Sequence, residues 1–315
     1  MNRTDSRTGL IYLIITIFLF STFEVTTKFV SPYMRPVQIT FIRFFIGGLV
    51  LLPPALIRIR KNRIRITAGD LARFALLGVV NIVLSMGCIQ LGLVTTNASV
   101  GAILFSTNPL FVMIFSRIML KEKITPPKVA GLLLGFLGMS LLLTDSLSRK
   151  TSTPLGLILI LTSAILFGFY TVLGKKIITR RVDSLIINAF SFLAGSLVLV
   201  PVQLVMKIRL IPQAAPVLPH LLYLSVIVTG LAYVFYFEGL SRLEAGAGSM
   251  VFFAKPALAS LLAVLILHEQ VGPRMILGIL ITAGGILAAQ LNPEKKSRGK
   301  KQPPLPPEGD SSRAG

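Results

Sequence analysis

The feature that most constrains this chain of 315 residues is a series of ten apolar segments, each about as long as a membrane-spanning helix. Because a helix rises about 1.5 Å per residue, about 20 apolar residues cross the roughly 30 Å hydrocarbon core of a bilayer. Lipid cannot satisfy exposed backbone N–H and C=O groups, and the short alternating segments of a β-barrel are absent from the sequence. The sequence therefore predicts an all-α integral membrane protein of ten transmembrane helices. The predicted spans are 9–30, 36–57, 69–91, 97–120, 126–145, 154–174, 184–206, 217–239, 244–267 and 272–291.

The distribution of charge predicts which side of the membrane the termini face. Only 14% of the residues are charged, against about 25% in soluble domains, yet the net charge is +20. With a cytoplasmic N-terminus, one set of ends and loops carries 23 Lys and Arg and the opposite set carries seven. Because cationic loops resist translocation, the richer set faces the cytoplasm. We therefore expect both termini to be cytoplasmic, and the charge is a topology signal that gives no reason to expect nucleic-acid binding.

The two halves of the sequence repeat each other at a constant offset of 147 residues. The aligned pairs include Phe20 with Phe167, Lys28 with Lys175, Gly48 with Gly195, Gly101 with Gly248, Phe105 with Phe252, Pro109 with Pro256, Glu122 with Glu269 and Pro126 with Pro273. Each unit holds five spans, an odd number, so the second copy is expected to cross the membrane in the opposite orientation. Inverted repeats of this kind are typical of secondary transporters, although some channels share them.

The repeat predicts five regions along the chain. They are a cytoplasmic N-terminus (1–8), a first five-helix repeat (9–145), a connecting loop (146–153), a second and inverted five-helix repeat (154–291) and a basic, Pro-rich tail (292–315). The composition of the tail is typical of disorder. Its lysines either contact anionic lipid headgroups or stay solvated.

Two segments resemble the EamA domain of the drug/metabolite transporter superfamily. One runs from Ala98 through Pro109 to Gly131, and its copy runs from Ala245 through Pro256 to Gly278. The similarity extends over residues 9–291, as two EamA domains in register. The resemblance implies a ten-helix carrier with cytoplasmic termini that moves small metabolites, often exporting amino acids or related compounds.

Two proline-containing spans carry polar residues at equivalent positions. Asn108 precedes Pro109 in span four, and Lys255 precedes Pro256 in span nine. A proline removes a helical hydrogen bond and can expose carbonyl groups. The pseudo-twofold relation predicts that Asn108 and Lys255 face one cavity near the midplane.

A charged side chain near the bilayer centre costs from about 2.5 to more than 10 kcal/mol, so it needs a partner or a water-filled cavity. Lys255 either receives a substrate carboxylate or phosphate, or acts in coupling, or pairs permanently with a carboxylate such as Glu24. Asn108 either binds a ligand or makes an interhelical hydrogen bond. Glu24 is a candidate for binding a substrate amine or for proton coupling.

The remaining polar candidates divide into lining and structural residues. Asn81, Tyr170 and Tyr233 are expected around the substrate, with ordinary helix packing as the alternative. A structural role is expected for Arg43 in an internal ion pair, for Glu122 and Glu269 in the short turns into the next helices, and for Pro109 and Pro256.

Nothing in the sequence indicates an enzyme. His220 and His268 have no nucleophile at readable spacing, Cys88 is the only cysteine, and no Gly-rich phosphate loop occurs. No cofactor or metal is expected.

The sequence favours a multi-pass secondary transporter, with export preferred, in a prokaryotic-type inner (plasma) membrane. Its expected partners are a small-molecule substrate, membrane lipids, a coupling proton or ion, and a second copy of the chain in a homodimer. The alternatives are a passive channel or uniporter, a flippase for lipid-linked groups, and a non-transporting scaffold.

Overall fold

The computed structural model describes residues 3–96, 98–147, 153–178, 182–210 and 215–267, with short pieces at 276–278, 280–281 and 283–285. Within these residues all regular secondary structure is helical and no strand occurs. The α-helices are α1 (Arg3–Ser21), α2 (Phe23–Val30), α3 (Pro36–Lys61), α4 (Ala68–Gly78), α5 (Gly87–Val94), α6 (Ala98–Phe105), α7 (Asn108–Met119), α8 (Pro126–Leu147), α9 (Pro154–Ile177), α10 (Ser184–Val205), α11 (Leu218–Leu222), α12 (Ala232–Ser241), α13 (Ala245–Ser249) and α14 (Ala254–Leu267).

Local sequence signals determine where several of these helices begin. Helix α4 begins with a capping box, in which the backbone N–H of Asp70 donates to Thr67 Oγ1 and the backbone N–H of Thr67 donates to the Asp70 carboxylate. Helix α9 begins with Pro154 after Thr153, whose hydroxyl caps the backbone N–H of Gly156. These side chains satisfy N–H groups that the first turn of a helix leaves without an intrahelical partner.

Seven helical segments of the described part of the chain are long and apolar enough to cross a membrane. They are Asp5–Thr27, Pro36–Lys61, Ala68–Val94, Gly101–Met119, Pro154–Ile177, Ser184–Val205 and Leu218–Ser241. Shorter apolar helices cover Pro126–Gly138 and Ile276–Gly285. Large apolar side chains such as Ile57, Leu133 and Leu204 are exposed on the outside of this bundle, where a membrane protein contacts lipid.

Irregular helical segments occur at corresponding places in the two halves. The third predicted span is interrupted by a π-helical segment at Val79–Met86, and the eighth by one at Tyr223–Leu231. The fourth predicted span breaks between α6 and α7, directly before Asn108 and Pro109, and the ninth contains a 3₁₀ turn at Met250–Phe253, directly before α14. Interruptions of this kind often mark functional positions in membrane helices.

Contacts between glycines show how the halves meet. A Cβ on Gly92 would lie 2.9 Å from the carbonyl oxygen of Gly156, and a Cβ on Gly239 would lie 3.0 Å from that of Gly9. The offset of 147 residues relates Gly9 to Gly156 and Gly92 to Gly239. The start of α1 therefore packs beside the end of α12, just as the start of α9 packs beside the end of α5.

An ionic cluster joins the two halves at the end of the bundle where α9 ends. We define this cluster as Glu122, Lys128, Lys175 and Glu244 together with the first N–H groups of α13. Lys175 Nζ lies 2.9 Å from Glu122 Oε1 and also donates to the carbonyl oxygen of Leu243. Lys128 Nζ lies 2.6 Å from Glu244 Oε2.

Glu122 makes structural contacts that reach beyond the turn leading into α8. Its carboxylate accepts hydrogen bonds from the backbone N–H groups of Ala245, at 2.8 Å, and Gly246, at 3.2 Å. Burial by itself raises the pKa of Glu122, but the charge of Lys175 and the hydrogen bonds from Ala245, Lys175 and Gly246 outweigh burial, so the pKa lies below its ordinary value. Glu122 therefore connects the first half of the chain to the start of α13 in the second.

We predict that Gly195→Ala destabilises the protein. A Cβ at this position in α10 would lie 2.5 Å from the carbonyl oxygen of Gly78 and 2.8 Å from its Cα, so the two backbones would have to separate. Overpacking of this kind costs about 1–3 kcal/mol, and the melting temperature in detergent should fall. Gly87→Ala is the control, since a Cβ there meets only the carbonyl oxygen of Ile82 at 3.9 Å. Equal melting temperatures for both variants would contradict the close contact.

We predict that Glu122→Gln lowers the melting temperature at neutral pH and that the effect disappears in acid. Hydrogen bonds to a charged group contribute about 1.5–3 kcal/mol each. Because the folded-state pKa of Glu122 is depressed, its contribution is complete above the ordinary value of 4.5 and is lost as the pH falls through the folded-state pKa. The difference in melting temperature between wild type and Glu122→Gln should therefore become smaller below pH 4.5.

Glu244→Gln serves as the control for this measurement. The Glu244 side chain is 49% exposed, so its pair with Lys128 should contribute about 1 kcal/mol or less. A Glu122→Gln variant as stable as wild type at pH 7 would show that the cluster does not hold the two halves together.

Candidate functional site

A small cavity lies at the centre of the bundle, where the two halves meet. Its volume is about 20 Å³, enough for about one water molecule. The residues that line it are Phe20, Phe23, Arg43, Met86, Ile89, Phe105, Phe167, Val228, Tyr233, Phe252 and Lys255. The lining therefore combines two cationic side chains with an aromatic and aliphatic wall.

Lys255 lies at the start of α14, directly after the 3₁₀ turn of the ninth predicted span. It is 2% exposed, and its Nζ lies 4.9 Å from the ring centroid of Phe105 and 5.7 Å from that of Phe23. Aromatic faces attract a cation more strongly where water is excluded. The ammonium group is therefore held at the cavity by rings from both α2 and α6.

Arg43 of α3 lies on another side of the same cavity. Its Nε donates to Thr229 Oγ1 at 3.1 Å, and its Cζ lies 4.3 Å from the ring centroid of Phe23. The predicted role of Arg43 was structural, and the structure places its guanidinium in the cavity wall. The Phe23 ring centroid lies 4.3 Å from Arg43 Cζ and 5.7 Å from Lys255 Nζ, and all three residues line the same small cavity.

The aromatic wall is built from residues that the sequence repeat relates to each other. The rings of Phe105 and Phe252, 147 positions apart, have centroids 6.2 Å apart. The Tyr233 hydroxyl lies 3.7 Å from the sulfur of Met86, again 147 positions away. Phe20 packs on Tyr233 at 5.1 Å. The pseudo-twofold axis therefore passes through the cavity wall.

Of the six predicted substrate-binding residues, Lys255 and Tyr233 line the cavity. Asn108 is fully buried, and its amide nitrogen donates to the carbonyl oxygen of Phe105 at 3.0 Å. Asn81 is buried in the π-helical segment of the third span. Tyr170 is fully buried and packs on Phe167 and Phe237. Asn108, Asn81 and Tyr170 therefore lie behind the wall in this conformation.

Several predicted residues fall where the structure gives no side-chain description. The backbone of Glu24 is part of α2, but its side chain lies outside what the structure describes. Glu269 and His268 lie wholly outside the described residues. Pro109 begins the continuous part of α7, and Pro256 lies in the first turn of α14.

A larger cavity, which we call the vestibule, opens toward the end of the bundle opposite the ionic cluster. Its volume is about 420 Å³, and its lining is Thr27, Ser31, Pro32, Met34, Arg35, Pro36, Ile39, Gln90, Leu93, Val94 and Thr96. Thr96 lies beside the start of α9, where the Thr153 hydroxyl donates to Thr95 Oγ1. The ionic cluster lies at the other end of α9, about 33 Å along the helix from Thr153 to Lys175.

The vestibule and the central cavity follow one another along the same helices. Thr27 lies one turn beyond Phe23 in α2, and Gln90 follows Ile89 in α5. Sequence reasoning missed the residues of the vestibule because most of them are common residue types at the predicted end of a span. The alignment of Phe105 with Phe252 was the signal that could have located the aromatic wall.

Within the described part of the chain, no group of three or more His, Cys, Asp or Glu side chains could hold a metal ion. Among the described residues that line the central cavity, the charged groups are Arg43 and Lys255, and the rest are apolar or aromatic. Such a lining suits an anionic group attached to an apolar body.

Comparison with known proteins agrees with this architecture. The model of the EamA-like transporter family matches residues 7–144 and again residues 154–289. An uncharacterised transporter of Clostridium kluyveri is 30% identical over 294 residues, covering 89% of this chain and 92% of that protein. The uncharacterised transporter YvbV of Bacillus subtilis is 30% identical over 261 residues, covering 82% of this chain and 84% of that protein.

A solved crystal structure shares the fold. It superposes with a TM-score of 0.75 at 19% sequence identity, covering 94% of this chain and 99% of the other. The apolar helices and the two matches to one family make this a multi-pass membrane protein built from two EamA repeats. Its relatives are transporters, so the protein is a transporter of small molecules and not an enzyme. The resemblance seen in the sequence is confirmed: the chain belongs to the EamA-like transporter family.

Proposed function

We propose that this protein is a secondary transporter that carries a small organic carboxylate with an apolar body by alternating access. The observation that carries the proposal is the central cavity, which Arg43 and Lys255 line together with aromatic rings. The two cations suit a carboxylate, and the rings suit an apolar or aromatic body. Export is the direction that the family resemblance favours, and a proton or ion gradient is the energy source that we propose.

The difference between the two ends of the bundle supports a carrier over an open channel. The ionic cluster joins the halves at one end, while the vestibule opens at the other. The central cavity between them has room for about one water molecule. A substrate therefore has no continuous passage in this conformation, as alternating access requires.

The repeat supplies residues for closing the opposite end as well. The offset of 147 residues relates three members of the ionic cluster to residues in the other repeat. Lys175 corresponds to Lys28, Ala245 to Ala98 and Glu122 to Glu269. A carrier that closes each end in turn needs matched sets of residues of this kind. This correspondence supports a mechanism in which the two repeats exchange conformations.

We further propose ten membrane spans, arranged as inverted repeats at 9–145 and 154–291, with both termini in the cytoplasm and the protein in the plasma membrane. The start of α1 and the end of α9 both lie beside residues 239–243, so α1 and α9 begin at opposite ends of the bundle. This contact pattern and the excess of Lys and Arg at one set of loops support the arrangement. In this topology the vestibule opens to the outside.

We predict that Lys255→Met abolishes transport while leaving the protein folded. Proteoliposomes are offered radiolabelled carboxylates, from amino acids to aromatic acids such as hippurate, under proton and sodium gradients. Losing one partner of a buried charge interaction costs at least about 2 kcal/mol, or roughly 30-fold in affinity. Uptake by the variant should fall to the level of empty liposomes, with a melting temperature close to that of wild type.

Lys176→Met is the matched control, since Lys176 is exposed beside the ionic cluster and does not line the cavity. Transport that survives Lys255→Met would overturn the role of Lys255. Counterflow distinguishes the mechanisms, because substrate on the far side accelerates a carrier and has no effect on an open pore. Movement of a lipid-linked group without any soluble carboxylate would favour the flippase.

The topology makes a separate prediction. A fluorescent protein that folds only in the cytoplasm should fluoresce when fused at either terminus. Alkaline phosphatase, which is active only outside the cytoplasm, should be active when fused after Leu210 and inactive after Arg65. The reverse pattern would place the vestibule on the cytoplasmic side.

A further inference from the structure

The vestibule contains buried polar groups that the fold itself does not use. Thr27, Gln90 and Thr96 are 5%, 3% and 7% exposed and line this cavity. The Gln90 Nε2 group and the Thr27 and Thr96 hydroxyl groups have no hydrogen-bond partner among the described residues. Leaving a buried polar group unsatisfied costs about 1–3 kcal/mol, so groups of this kind usually serve water or a ligand.

The start of α3 adds positive potential to the same cavity. This helix of 26 residues begins with Pro36, and no side chain caps it. Its first turn leaves N–H groups without an intrahelical partner, and its dipole favours an anion there. Arg35 and Pro36 are both part of the lining of the vestibule. Arg35 is the only ionisable side chain among the described lining residues, and it is cationic.

Hydrogen-bond donors therefore dominate this cavity. The Arg35 guanidinium and the Gln90 amide nitrogen can only donate, and the threonine hydroxyls can donate. A carboxylate only accepts, so it suits hydrogen bonds from Arg35, Gln90 and Thr27, whereas the Thr96 hydroxyl lies against Gly156 of α9. The apolar part of the lining, which includes Leu93, Val94 and Ile39, suits the body of the same molecule.

We propose that the vestibule is a second, external binding site for the carboxylate group of the transported molecule. The carboxylate binds first between Arg35 and Gln90 and then moves inward to Arg43 and Lys255, a distance of about two helical turns along α3. This proposal rests on the proposed function for the identity of its ligand. The existence of an anion site in the vestibule is measured separately from transport.

The experiment uses thiol reagents of opposite charge as probes. Cys88, the only cysteine in the sequence, is replaced by serine, and Leu93→Cys places one thiol in the lining of the vestibule. The purified full-length protein in detergent is treated with sulfonatoethyl methanethiosulfonate, which is anionic, or with its trimethylammonium counterpart. We measure the ratio of the reaction rate with the anionic reagent to that with the cationic one, normalised to the same ratio for a free thiol. We expect this ratio to be about ten. Arg35→Gln or Gln90→Leu should reduce it several-fold.

Arg209→Gln is the matched control, because Arg209 lies at the same end of the bundle but outside the lining. It should leave the ratio nearly unchanged. The site is overturned if the rate ratio is near that of a free thiol, or if Arg209→Gln lowers the ratio as much as Arg35→Gln does. If transport depends on Lys255 but the rate ratio equals that of a free thiol, the vestibule proposal is wrong and the proposed function stands.

Competition identifies the source of the anion. Hippurate should slow the anionic reagent, whereas its neutral amide should not, and the protection should persist in Lys255→Met and disappear in Arg35→Gln. Protection by phosphatidylglycerol or inorganic phosphate with none by hippurate would assign the site to a headgroup or a free phosphate and overturn the link to transport. Protection by hippurate without any transport would leave the site standing and reject the proposed function.

Discussion

The burial of two cationic side chains at the centre of an apolar bundle is the constraint on which the rest of the structure depends. Arg43 and Lys255 are each 2% exposed, and lipid offers a charge no solvation. The surrounding helices therefore supply the rings of Phe23 and Phe105 and the hydroxyl of Thr229 as contacts. Two cationic side chains therefore share the wall of one buried cavity.

The pseudo-twofold relation places this charge on the surface where the repeats meet, and the two halves are not equal there. Arg43 corresponds to Phe190, and Lys255 corresponds to Asn108, so each cation is present once. The ionic cluster is also unequal, because Lys128 and Glu244 correspond to Met275 and Asn97. The two repeats are therefore similar in sequence but differ at single positions. These differences place the cations at the cavity and add a second ion pair at one end of the bundle.

Much of the fold could be predicted because it follows from local physics. Apolar length predicted the long helices, and the predicted spans 36–57 and 154–174 begin at the same residues as α3 and α9. Pro109 and Pro256 indicated the breaks in spans four and nine. The π-helical segments at Val79–Met86 and Tyr223–Leu231 gave no such signal, because their sequences are apolar runs with no residue that marks a change to i→i+5 hydrogen bonding.

The sequence by itself determined that the chain enters a membrane as helices, that it is built twice, and that Lys255 is an expensive residue to bury. These conclusions depend on hydropathy, periodicity and residue type, which can be read from the sequence without knowing any tertiary contact. Only the tertiary structure decided that Arg43 lines the cavity, that Asn108 lies behind it, and that Glu122 holds the start of α13. The rotation of each helix about its axis decides which residue faces the cavity, and that rotation depends on packing against distant segments such as Gly78 on Gly195.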